Sequence, residues 1–291
     1  MKSKKLMLIA SIITIYASIG YGQSSPVVND NYVIQAHQVP LNERITLDGS
    51  LSESAWLSVT PITNFRQQVP LEGGNPTEHT EIRILYDENH LYIGAIMHDS
   101  DPSAILAFQK RWDQGLGADD RFMWILDTFN DGRNAYFFEI NPAGLMGDGL
   151  LTVGQGTNIN KAWNGIWEAR VKVSEIGWTA EIRIPFKTLD FNADQTVWGI
   201  NFQRTVRRNS EEILWSGWRL NQGLFRPQDA GKLVGLNNLN QGLGLEIKPY
   251  YQPLNLLERS TQMVPETIIS MQMPDLMSHT VLHLVFVHLY L

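Results

Sequence analysis

The stretch EIRIPFKTLDF at Glu181–Phe191 alternates apolar Ile182, Ile184 and Phe186 with polar neighbours at a period of two, as a half-buried β-strand does. Pro185 cannot donate to a ladder, so the strand stops there or lies at an edge. Just downstream, WGINFQRTVRRN at Trp198–Asn209 repeats the pattern with Trp198, Ile200 and Phe202. Far upstream, LDGSLSESAW at Leu47–Trp56 combines a Leu47-Asp48-Gly49 turn with Ser52, Glu53 and Ser54, which can cap and open a short helix that delivers Trp56 to a core.

More strands flank these segments. EIRILYD at Glu81–Asp87 and HLYIGAIMHD at His90–Asp99 form a hairpin pattern around Glu88-Asn89. RFMWILDTF at Arg121–Phe129 and NAYFFEINP at Asn134–Pro142 form another across Asn130-Asp131-Gly132, residues that tolerate positive φ. Their aromatic density places both strands centrally. Gly144–Asn160 is rich in Gly and Asn without a period and reads as a long irregular loop. Trp167–Val173, Trp178–Pro185, Trp198–Arg207, Ile213–Trp215 and Lys232–Leu236 return to strands. Many short strands separated by turns mean a sandwich or a barrel.

The ends differ in character. Lys2, Lys4 and Lys5 precede an apolar run from Leu6 to Ile19, with Gly20 and Gly22 before Gln23, which predicts a signal peptide over 1–22 cleaved near Gly22-Gln23. Residues 23–31 read as a flexible lead and 32–240 as the domain. Leu243–Tyr251 alternates again, but from Ser260 the chain has no Gly or Trp and lacks the repeated strands of about 10 residues that a membrane barrel requires. There is no Cys, so neither disulfides nor thiolate metal sites are available. The net charge of -7 gives a phosphate backbone nothing to hold, and nucleic acid is not an expected partner. Nine tryptophans suit aromatic filling of a β-sandwich or an aromatic binding surface, with core filling the expectation for most.

The three segments Leu47–Trp56, Glu181–Phe191 and Trp198–Asn209 together resemble the carbohydrate-binding module family 9-like domain. The version resembled stands at the front of bacterial proteins with a C-terminal outer-membrane β-barrel. The resemblance implies an all-β, two-sheet antiparallel β-sandwich, immunoglobulin- or jelly-roll-like, with 241–291 the remnant start of a barrel region and an aberrant or truncated tail. It implies an exported, non-catalytic module of the periplasm, outer membrane or cell surface that binds poly- or oligosaccharide in support of carbohydrate catabolism. The first alternative is a periplasmic interaction domain with a decayed sugar site, partnered by an outer-membrane barrel or another envelope component.

Better-known relatives clamp a sugar between two tryptophans. The equivalents here are Trp112 and, in the loop WRLNQGLFRPQDAG, Trp218 or Phe225; Trp215 matches a core strand residue. Asn141 matches a polar partner, and Asn221, Gln222 and Arg226 offer replacement hydrogen bonds. Where those relatives carry a strand glutamate and an arginine, this chain places Met123 and Glu139. No cofactor is required, but related modules hold structural calcium, for which Asp48, Glu53 and Asp99 are the candidate ligands.

Other chemistry has thinner signals. A glycoside hydrolase acting on O-glycosyl bonds, the second alternative, needs two carboxylates about 5–9 Å apart, for which Asp119-Asp120, Asp99 with Asp101, and Glu211-Glu212 are nominees. No GxSxG or HExxH motif occurs. DTFNDG at Asp127–Gly132 looks like a calcium loop, but Phe129 occupies a ligand position and a hairpin turn explains the segment. His279, His283 and His288 read as incidental. Arg204, Arg207 and Arg208 read as solvated strand residues, with Arg204 within reach of a carboxylate on a neighbouring strand.

Overall fold

A computed structural model describes residues 32–109, 115–154, 156–192 and 194–240, together with the backbone of three later strands. The strands are β1 Val33–Gln38, β2 Arg66–Val69, β3 Thr80–Tyr86, β4 His90–His98, β5 Arg121–Asp127, β6 Asn134–Ile140, β7 Met146–Val153 and β8 Thr157–Asn160. They continue with β9 Glu168–Ser174, β10 Gly177–Pro185, β11 Val197–Val206, β12 Glu211–Leu214 and β13 Gly231–Val234. Helix α1 spans Ser54–Leu57. The backbone strands β14 Glu246–Pro249, β15 Thr267–Gln272 and β16 Leu282–Phe286 form a separate antiparallel sheet.

The first sheet runs β8-β7-β6-β5-β11-β13, with β12 and β2 continuing from β11, and the second runs β3-β4-β10-β9. Strand β1 joins them. Its first half pairs parallel with β13 (Val33 opposite Lys232) and its second half parallel with β3 (Ala36 opposite Ile84). A strand that changes sheet closes one side of a sandwich. Strand β1 adds two parallel pairings to the expected β-sandwich, and every other pairing among the described residues 32–240 is antiparallel.

Period-two alternation decides which side chains meet between the sheets. Ile82, Ile84, Ile93, Ala95, Ile182 and Ile184 of the second sheet face Phe122, Trp124, Leu126, Phe138, Trp198, Ile200 and Phe202 of the first. Trp124 stacks on Phe138 at 5.3 Å and receives the edge of Trp167 at 5.5 Å. Trp56, Trp124, Trp178, Trp198 and Trp215 are almost fully buried, so the tryptophan-rich composition is mostly core. The fold-deciding strand β10 is central, pairing with β4 and β9, and ends at Pro185 as its sequence requires.

Two local readings change. Gly144–Asn160 is not an irregular loop but contains β7 and β8, paired with β6 and with each other. Its glycines hide the period because neighbours take the space of their side chains: a Cβ on Gly147 would stand 3.0 Å from the Glu139 carboxylate, and one on Gly149 2.8 Å from Ile159. Helix α1 delivers Trp56 to the interior as expected, but its start is held from elsewhere. Glu43 accepts from Ala55 N–H at 3.0 Å and Ser54 Oγ at 2.8 Å, and these donors lower its carboxyl pKa.

Glu181 ties the fold-deciding strand to the Leu47–Trp56 segment. Fully buried, it accepts Asp48 N–H and Gly49 N–H at 2.9 Å each and Trp56 Nε1–H at 3.1 Å. Burial raises its pKa against those three donors. Directly opposite, Gly94 leaves room for the helix, since a Cβ there would lie 2.0 Å from Leu51 and 2.8 Å from Trp56.

Asp127 closes the β5–β6 hairpin by accepting Gly132 N–H at 2.8 Å and Asp131 N–H at 3.2 Å. Burial pushes its carboxyl up to about 6 despite those donors. A raised folded-state value means that Asp127 contributes stability below its ordinary value of 3.8 and loses that contribution as pH rises through about 6. A carbon-detected NMR titration is expected to find Asp127 titrating near 6; titration near 4 would remove the burial argument.

Candidate functional site

The outer face of the first sheet carries a band that is apolar at one end and charged at the other. Met123, Ile125, Phe137, Leu151, Leu214 and Leu224 form an outer cluster, against which Ile159, Trp218 and Phe225 pack. Phe225 lies 5.6 Å from Phe137, ring centre to ring centre. Register then sets the charged end: Met123 stands opposite Glu139 on one side and Gln203 on the other, and Arg121 stands opposite Thr205.

Glu139 is only 2% exposed. Lys161 Nζ lies 2.5 Å from one of its oxygens and Arg121 Nη1 3.4 Å from the other. Lys161 also lies 5.7 Å over the Phe137 ring, linking the two ends of the band. Gln203 donates to Glu212 at 3.2 Å. Burial lowers the Arg121 pKa and Glu139 draws it back up. This cluster was not anticipated from sequence beyond the presence of Met123 and Glu139. Its signal was the outward phase of charged residues in otherwise apolar strands.

Two loops flank the band, each pinned by a buried asparagine. At one end, Asp119 accepts Phe108 N–H and Gln109 N–H at 3.0 Å each and Asn141 Nδ2–H at 2.9 Å. Asn141 Oδ1 accepts Ala143 N–H and Leu145 N–H at 3.1 and 2.8 Å. Asn141 is fully buried, so the structure spends its amide on loop geometry and not on the ligand contact expected from sequence. Trp112 lies outside the described residues.

At the other end, Asn201 exchanges hydrogen bonds with Ser216, donating at 2.9 Å and accepting at 3.0 Å. Gln68 Nε2 holds the carbonyls of Arg219 and Gln222 at 2.8 and 3.2 Å. Trp218 donates to Tyr32 Oη at 2.9 Å, abuts Gly73, and carries the Arg219 guanidinium 5.8 Å from its ring centre. Trp218 and Phe225 are both half-buried and both pack on the outer cluster, Phe225 directly against Phe137. Asn221 is exposed in the same loop, Gln222 is half-buried, and the exposed Arg226 pairs with Asp229 at 2.9 Å.

The calcium candidates do not converge. Asp48 and Glu53 lie over the outer face of the second sheet, accepting Ser50 N–H at 2.7 Å and Thr46 N–H at 3.0 Å. Asp99 points between the sheets to Arg208 at 2.6 Å. Among the described residues no group of three or more His, Cys, Asp or Glu is arranged to hold a metal ion. Asp127–Gly132 is the hairpin turn already described, and His279 and His288 lie outside the described residues.

The arginine reading also needs correction. Arg204 follows Trp198, Ile200 and Phe202 in phase, so it points inward and is 1% exposed. It donates to His79 O at 2.9 Å, Thr80 Oγ1 at 3.2 Å and His98 O at 2.7 Å, with Asp99 3.8 Å away. Burial pushes its pKa down to about 10, opposed by Asp99 and Asp120. Arg208 pairs with Asp99 and Glu78. Of the nominated carboxylates, Asp119 and Asp99 are held as above, and Glu211 accepts Thr77 N–H at 3.0 Å.

A two-sheet sandwich with an aromatic and charged band between two pinned loops is the class of domain these features define. Residues 47–219 match the family described as carbohydrate family 9 binding domain-like, and the chain belongs to that family. Solved structures similar to it include two of a carbohydrate binding module family 9 from Caldicellulosiruptor kristjanssonii. The cellotriose complex has a TM-score of 0.47 at 15% identity, covering 69% of this chain and 92% of that one. The glucose complex has a TM-score of 0.49 at 15% identity, covering 70% and 96%. A putative carbohydrate-binding protein from Bacteroides uniformis has a TM-score of 0.49 at 14% identity, covering 70% and 98%. No curated protein matches the chain.

Proposed function

We propose that the chain is an exported, non-catalytic module that binds poly- or oligosaccharide at the outer face of the first sheet, in support of carbohydrate catabolism. Family membership over residues 47–219 carries this reading, because the match spans the strands β5, β6 and β11 that build the band. A pyranose presents an apolar C–H face and a hydroxyl rim, and the band offers the matching pair of surfaces. Phe225, backed by Phe137, supplies the ring, with Trp218 and Trp112 as the further aromatic candidates. Arg121, Lys161, Gln203 and Glu212 supply hydroxyl partners, joined from the loop by Asn221, Gln222 and Arg226. Export rests on the leader pattern of residues 1–22.

A second reading is a periplasmic interaction domain of an outer-membrane barrel protein whose sugar site has decayed. It draws on Glu139 being locked between two cations.

A glycan array followed by calorimetry separates the two. The module reading expects a bound oligosaccharide whose affinity drops about tenfold in Phe225→Ala, since stacking of a flat ring on an aromatic side chain contributes on the order of 1–3 kcal/mol for nucleic-acid bases. No bound glycan, from protein shown to be folded, favours the interaction domain.

A further inference from the structure

We infer that the glycan unit held against this band is acidic, a sugar bearing a carboxylate such as a uronic acid; the inference rests on the carbohydrate-binding reading of the same face. The chain as a whole is anionic, with a net charge of -7. The outer face of the first sheet runs against that balance. Arg121 and Lys161 converge there on Glu139, and Arg207 lies close enough to depress the Arg121 pKa further. Glu212 is the other acid that acts on Arg121, and Gln203 already donates to it.

Depth sorts these charges. Glu139 lies at the bottom, its side chain 3% exposed, while the side chains of Lys161 and Arg121 above it are 42% and 17% exposed. What a ligand meets at this end is thus cationic. Arg207 opens the single 3-10 turn Arg207–Asn209 that follows the strand, and its Nε is buried without a hydrogen-bond partner among the described residues. An unsatisfied guanidinium N–H beside the exposed Lys161 and the more deeply set Arg121 is a donor set for a planar carboxylate, which arginine engages through parallel N–H bonds. Lys161 connects this set to the aromatic end through Phe137, so a sugar ring against Phe225 can direct a ring carboxylate toward the cations.

The test uses the full chain and matched pairs of glycans. Several uronate-containing oligosaccharides of different linkage are each compared by calorimetry with the same oligosaccharide after reduction of its carboxylates to hydroxymethyl groups. The expected result is at least one uronate bound about tenfold or more tightly than its reduced partner, in line with the strength of a charge-assisted hydrogen bond. That ratio is expected to shrink in Lys161→Gln and Arg207→Gln and at higher salt. Both variants are checked for folding by circular dichroism. Reduced partners that bind as well as, or better than, the uronates overturn the acidic preference and leave the carbohydrate reading standing. A folded protein that binds neither set, on this panel or on a wider neutral array, overturns both.

Discussion

Replacing Glu181 with alanine is expected to destabilise the domain by about 3 kcal/mol, read as a lower urea midpoint with an unchanged slope. The carboxylate serves three donors from another part of the chain: Asp48 N–H, Gly49 N–H and Trp56 Nε1–H. Without it the indole N–H of a tryptophan 0% exposed has no acceptor, and the turn that presents α1 to the second sheet loses its anchor. Glutamine keeps one oxygen and the shape, so Glu181→Gln is expected to cost about 1 kcal/mol, as one hydrogen bond does. Equal losses in the two variants would show that volume, and not the hydrogen-bond set, holds the segment in place.

Arg204→Ala is the other large effect, expected to cost about 3–5 kcal/mol at neutral pH, as when one member of a buried ion pair is removed. Arg204 donates to two backbone carbonyls and one hydroxyl and stands among Asp99, Asp120, Glu78 and Glu211. The variant leaves those acids with Arg208 as a partially exposed counter-charge. Asp120 already titrates above its ordinary value because of burial, partly offset by Arg204. Removing Arg204 raises it further. A raised acid contributes stability below its unfolded value and loses it as pH rises through the folded one. The penalty of Arg204→Ala is therefore expected to be greatest at neutral pH and to shrink on acidification, measurable as urea midpoints from pH 7 down to 4. A penalty that grows as pH falls would contradict this charge network.

Glu181 and Arg204 also show what could be read from sequence and what could not. Alternation in Ile182–Phe186 and Trp198–Phe202 correctly gave two strands and their buried faces, because one face of each meets the core. The same rule, carried two residues further, turns Arg204 inward; reading it as a solvated strand residue overlooked its phase. Glu181 faces outward from the core in β10, but its partners lie 125–133 residues away in sequence. No local pattern marks such a contact. Strands β7 and β8 escaped because Gly147 and Gly149 make room for neighbours and erase the apolar period. The parallel pairing of β1 is likewise invisible to local pattern.

The candidate site divides in the same way. The loop Trp218–Gly231 is distinct in sequence for its Trp, Phe and polar residues, and the structure sets its Phe225 beside Phe137. Asn141 stood out by position, yet it holds Asp119 and a tight turn in place. The Arg121–Glu139–Lys161 cluster brings together residues from three separate segments; the outward phase marks its members singly, and the tertiary fold brings them together.

The most direct measurement is an amide NMR titration of the full chain with an oligosaccharide bound on the array. Binding at the outer face of the first sheet predicts shifts concentrated at Phe137, Glu139, Lys161, Gln203 and Phe225, with β4 and β10 of the second sheet unmoved. Shifts concentrated on the second sheet, or none from a folded protein at saturating glycan, would contradict that account.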